Sequence, residues 1–148
     1  MSEIDLLENL VKMTRDSVNG YREAADLVRK ENPPLAGIFE ERSIKRDLML
    51  GKLRSHLAAL DPDNSALQSD GTVSGHVHQS FMKFRSMFQD NYKAALAEVD
   101  RGESLLVNAY EEALGKASPE VSLLLHPFLT EIRQDERTVE LLREEATA

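Results

Sequence analysis

The stretch DPDNSALQSDGTVSG, residues 61–75, separates two helical halves of the chain and decides how they connect. Asp, Asn, Ser, Gly and Pro crowd it, and these residues favour turns over regular structure. Upstream, Ile4, Leu7, Val11, Thr14, Val18, Tyr21, Ala25 and Val28 recur at intervals of three and four. That spacing predicts one long amphipathic helix near residues 3–31, capped by Ser2. Asn32-Pro33-Pro34 ends it and opens the next helix, because Asn caps well and proline suits a first turn whose N–H groups lack partners anyway. The second helix should cover about 33–60, with Phe39, Arg42, Arg46, Met49, Leu53, His56 and Leu60 on its inner side. So short a link makes the two helices antiparallel neighbours.

Downstream, Val77, Phe81, Phe84 and Phe88 lie on one stripe with Lys83 and Arg85 off it, which predicts a short amphipathic helix. Asp90 can cap a third long helix over about 91–115 that ends at Gly115. Ser118-Pro119 then starts a fourth, over about 119–145, with Val121, Leu125, Phe128, Ile132, Asp135, Val139 and Leu142 on its stripe. Pro127 falls inside it and is expected to kink it. No alternation of period two survives, so the fold class is all-α. Two short links give two antiparallel hairpins. A helix of about 26 residues is about 39 Å long, a span that the connection between the hairpins can traverse. One long crossover containing a short helix, set between two hairpins, is the ferritin-like four-helix arrangement.

A chain of 148 residues reads as a single domain, residues 1–148, and one of that size can bury roughly 68–70% of its unfolded surface. It contains no cysteine, which excludes disulfides, thiolate metal sites and cysteine nucleophiles. Met1-Ser2-Glu3-Ile4-Asp5 lacks the basic and apolar regions of a secretion signal, and no apolar run reaches the length of a membrane span. A cytoplasmic protein that does not enter membranes is expected. The formal net charge of −8 opposes nucleic acid as a partner, since phosphates would repel the average surface.

The third helix carries the most informative residue. Its stripe of Val99, Glu103, Leu106, Tyr110 and Ala113 is apolar except for Glu103, which a helix would otherwise turn to solvent. A carboxylate forced inward needs a metal, a cation or a proton. Di-iron chemistry in a ferritin-like bundle requires a Glu-x-x-His pair on each of two helices. Here Glu41 is followed at that distance by Ile44, Glu103 by Leu106 and Glu131 by Gln134. Glu103, Glu131 and Asp135 remain as candidates for an oxygen-lined metal site, yet without imidazole they do not suit a redox pair, and no cofactor is expected. His76 and His78 are two apart and read as exposed, while His56 and His126 read as packed or capping residues. The alternative is a self-neutralising centre of Tyr21, Arg42, Arg46, Glu103, Tyr110 and Asp135, in which arginine serves as a five-donor fork.

Several short stretches also carry a resemblance. Asp16-Ser17-Val18-Asn19-Gly20-Tyr21 through Ala24-Ala25, Glu41-Arg42, Gly102-Glu103 and Tyr110-Glu111-Glu112-Ala113-Leu114 occur in order across nearly the whole chain. In these the chain resembles a bacterial ferritin-like four-helix-bundle family of unknown function, with the YciF-type stress proteins as more distant relatives. The resemblance implies the fold and a link to stress responses, but no particular activity. A non-enzymatic bundle acting by self-association or partner binding is therefore expected, against the alternative of a metal-binding or di-metal oxidoreductase. Phe81, Phe84 and Phe88 are too many large apolar groups for an exposed crossover; they are expected to cap the bundle or to form the interface of a two-fold homodimer.

Overall fold

Ser2 starts the first helix by accepting the Asp5 amide on its hydroxyl at 3.1 Å, while the Asp5 carboxylate takes the Ser2 amide at 3.1 Å. Two donors that a helix start leaves without partners are thereby satisfied reciprocally. The computed structural model describes residues 2–67 and 92–147. Helix α1 is Glu3–Val28, α2 is Pro33–Leu60, α3 is Tyr92–Leu114 and α4 is Pro119–Thr147, with one short 3-10 turn at Ser65–Leu67. The described residues contain no strand. The predicted short helix with its Phe81, Phe84 and Phe88, the Asp90 cap, His76 and His78 lie outside the described residues.

The caps fall close to where the sequence puts them. Asn32 accepts the Leu35 amide at 3.2 Å with Pro33 behind it, and Ser118 accepts the Val121 amide at 3.3 Å ahead of Pro119. Helix α1 ends three residues sooner than predicted. Asn32 sends its amide back to the Val28 carbonyl at 2.8 Å, and a residue before proline is held out of the helical region, so the last turn closes early. Helix α4 runs unbroken through Pro127, which lies on the exposed side, where a carbonyl that loses its partner still meets water.

Contacts between side chains fix the directions. Ser17 and Tyr21 of α1 meet Arg46 and Arg42 of α2, Glu111 and Ser104 of α3 meet Arg133 and Glu136 of α4, and Thr14 of α1 meets Tyr110 of α3. Lys45 and Arg42 of α2 meet Glu131 and Asp135 of α4. One residue number falls as the other rises in each adjacent pair, so α1 and α4 run one way and α2 and α3 the other. At one end Glu3 accepts both the amide and the hydroxyl of Ser118 at 3.1 Å. At the opposite end Tyr92 is hydrogen-bonded to Asn32.

The apolar interior forms two clusters. One gathers Leu7, Leu10, Leu53, Leu57, Leu125 and Ile132 toward the Glu3 end. The other, toward Asn32, is built from smaller residues such as Ala24, Ala25, Ala36 and Ala95 around Phe39 and Leu96. Two details of α2 depart from the predicted stripe: Leu57 is fully buried, whereas His56 is half-buried and Leu60 is 46% exposed. Leu60 is the last residue of its helix, so no further turn of α2 covers it. No helix among the described residues is long and apolar enough to cross a membrane.

Candidate functional site

The inner stripes of all four helices carry a polar residue at the same height, between the two apolar clusters. Arg46 of α2 occupies the middle with a fully buried side chain. Its two terminal nitrogens donate to Glu103 Oε1 at 2.8 Å and Oε2 at 2.7 Å, the paired fork that matches guanidinium to carboxylate. The same nitrogens reach Ser17 Oγ at 2.7 Å and Asp135 Oδ2 at 3.0 Å, so one side chain ties α2 to α1, α3 and α4. Its Nε has no hydrogen-bond partner among the described residues.

Arg42, one turn away, completes the centre. Its Nε lies 3.7 Å from Asp135 Oδ1, and one terminal nitrogen donates to the Tyr21 hydroxyl at 3.3 Å. Both guanidinium carbons stand over the Tyr21 ring, at 5.6 Å for Arg42 and 5.4 Å for Arg46 from its centroid, where the ring's negative face attracts them. Two arginines and two carboxylates leave the layer without net charge, which offsets the cost of taking them out of water. Burial opposes the charge on Arg46, yet the bonds to Glu103 outweigh it and hold the guanidinium pKa above its ordinary value. Burial, reinforced by the Glu103 charge, raises the Tyr21 phenol well above its ordinary range. Such a phenol does not exchange protons near neutrality, and arginine does not deprotonate.

Of the candidate residues, Tyr21, Arg42, Arg46, Glu103 and Asp135 come together. Tyr110 does not reach the carboxylates: its hydroxyl shares a 2.8 Å hydrogen bond with Thr14, and burial pushes its pKa up to about 12. Glu131 also stands apart, on the outer side, 3.7 Å from Lys45 and 35% exposed, so the three carboxylates proposed for a metal do not converge. Among the described residues no three His, Asp or Glu side chains are grouped as ligands for an ion. His126 is exposed and its carbonyl accepts from Thr130 Oγ1 at 3.1 Å, so of the packed and capping roles expected for it the packed one is corrected.

Other buried polar groups were not legible in advance. Ser43 donates to the Val18 carbonyl at 2.9 Å, and Arg15 donates to the Ala66 carbonyl at 2.7 Å. Asn64 donates to Glu8 and to Asp61, both at 3.1 Å, while its carbonyl oxygen takes the Ala66 amide at 2.8 Å. Asn64 sits inside the polar run that the sequence marks as loop, and only its partner Glu8, 56 positions away, makes it structural.

Residues 2–116 match a family described as a domain of unknown function (DUF2383). No curated protein and no solved structure matches the chain.

Proposed function

The chain belongs to the DUF2383 family, and we propose that it is a non-enzymatic ferritin-like bundle, one domain over residues 1–148, which acts in the cytoplasm by self-association or partner binding during stress. The observation that carries this reading is the position of Arg46. Where a ferritin-like bundle would gather carboxylate and imidazole around metal ions, this one places a guanidinium bonded to both Glu103 and Asp135. A cation that already neutralises two buried carboxylates competes with any metal for them. The ferritin-like connection is supported by the helix directions: α2 finishes at the Glu3 end and α3 begins at the Asn32 end, so the link between them must span the bundle.

Self-association as a homodimer needs an apolar surface, and there are two candidates. One is the stripe of Phe81, Phe84 and Phe88 that the sequence spacing predicts. The other is the outer side of α2, where Ile44 is 59% and Leu48 is 66% exposed one turn apart. Total metal analysis of protein purified without chelator, paired with sedimentation at micromolar concentration, tests the proposal. A dimer without stoichiometric iron, manganese or zinc is expected. Two equivalents of transition metal per chain, lost on Glu103→Ala, would instead favour the alternative of a metal-binding or di-metal oxidoreductase protein.

A further inference from the structure

Two large apolar side chains of α2 are left outside the bundle. Ile44 and Leu48, one turn apart on its outer side, are each more than half exposed, whereas the exposed Leu105, Leu123 and Leu141 of α3 and α4 stand singly. At helical spacing the line through the pair continues to Gly37 in one direction and to Ser55 in the other, both exposed. A Cβ added at Gly37 or Gly51 would meet nothing within 4 Å, so the backbone lies bare on both sides of the pair and a second helix can come close.

We infer that this face packs against the same face of a second copy, the two α2 helices antiparallel about a two-fold axis level with Arg46, so that Ile44 of each copy meets Leu48 of the other. The inference rests on the self-association proposed above and gives it a surface and an alignment. Its first support is the local balance of charge. In a chain of net charge −8, two copies repel over most of their surface. Apart from the buried Arg42 and Arg46, however, α2 is neutral, with Glu40, Glu41 and Asp47 set against Lys45, Lys52 and Arg54.

The order of those charges selects the alignment. About such an axis, positions equally far from residue 46 on either side face each other: Ile44 and Leu48 are two away, Gly37 and Ser55 nine away, Glu41 and Lys52 five and six away. Glu41 and Lys52 also share a flank, the one beside α4. There Glu41 lies 3.3 Å from Lys45, Lys45 lies 3.7 Å from Glu131, and the Lys52 ammonium stands 5.9 Å from the Phe128 ring centroid. A two-fold axis between antiparallel helices sets like flanks together, so Glu41 of each copy meets Lys52 of the other. Lys52 forms no ion pair among the described residues, and the Glu41 side chain is 68% exposed despite Lys45, so both are open to a partner. Parallel helices would instead bring like charges to the same height.

Charge reversal, read by sedimentation of the full chain across the micromolar range, tests the alignment. Lys52→Glu and Glu41→Lys should each weaken the dimer about tenfold, because two exposed ion pairs per dimer turn repulsive, and the double variant should return to the wild-type constant. The chain has no cysteine, so Gly37→Cys and Ser55→Cys can be placed on separate chains and mixed. A short bifunctional thiol reagent should then join one variant to the other. Like positions lie about 27 Å apart along the axis and should not join. A dimer that links Gly37→Cys to itself, that ignores both reversals, or whose double variant stays as weak as the single ones overturns the inference and leaves self-association standing. A wild type that stays monomeric throughout overturns both.

Discussion

Replacing Glu103 by alanine tests the central layer most directly. The wild-type side chain is 4% exposed and accepts both terminal nitrogens of Arg46, itself fully buried, at 2.8 and 2.7 Å. Its loss turns a layer of two cations and two anions into one with a net positive charge. Arg46 keeps only Asp135 at 3.0 Å and Ser17 at 2.7 Å, and Asp135 is already shared with Arg42. A buried ion that loses its partner costs about 3–5 kcal/mol. With a urea m-value of about 2 kcal/mol/M, that moves the unfolding midpoint down by about 1.5–2.5 M. Glu112→Ala is the comparison, because Glu112 pairs with Lys116 on the surface, where both side chains are more than half exposed, and it should cost within about 0.5 kcal/mol. The combined variant Arg46→Met with Glu103→Leu removes one cation and one anion, leaves Asp135 to Arg42, and should lie closer to wild type than Glu103→Ala alone. If the midpoints of Glu103→Ala and Glu112→Ala coincide, the reasoning fails.

Leu48→Asp, placed on the outer side of α2, should convert the proposed dimer to monomer with unchanged helix content, as read by light scattering and circular dichroism. Asn64→Ala removes donors to Glu8 and Asp61 and an acceptor for Ala66, and a drop of about 1–3 kcal/mol is expected in urea unfolding. The Tyr110 phenol titrates at an ordinary value of 10.0 when unfolded and is pushed up to about 12 by burial, so the folded state holds the proton more tightly. The stabilisation is therefore whole below pH 10 and is lost as the pH rises toward 12, and Tyr110→Phe should flatten that alkaline decline in a pH series of unfolding midpoints.

How much was readable in advance depended on whether a residue's role was local. Ser2, Asn32 and Ser118 act on amides three positions away, so a short window of sequence contains both partners. Glu103 and Asp135 were legible because each interrupts an apolar stripe on its own helix. Tyr110 misled for the same reason, since periodicity places it inward but does not choose between Glu103 and Thr14, a partner 96 positions away. Arg15 and Asn64 were not legible in that way. Arg15 adjoins Thr14, which already fills the apolar spacing of its helix, and Asn64 falls in a loop-forming run, while their bonds to Ala66 and Glu8 reach more than 50 positions away.

The boundary between the two apolar clusters also acts as a vernier. Leucine and alanine layers are nearly interchangeable from one turn to the next, and hydrocarbon packing alone would tolerate one hairpin sliding along the other by a single 5.4 Å step. That step would carry Glu103 and Asp135 out of bonding distance of Arg46 and leave its buried guanidinium without the carboxylates that pair with it. The guanidinium is paired in one vertical alignment of the four helices, so one side chain that touches every helix in the bundle favours that alignment over its neighbours.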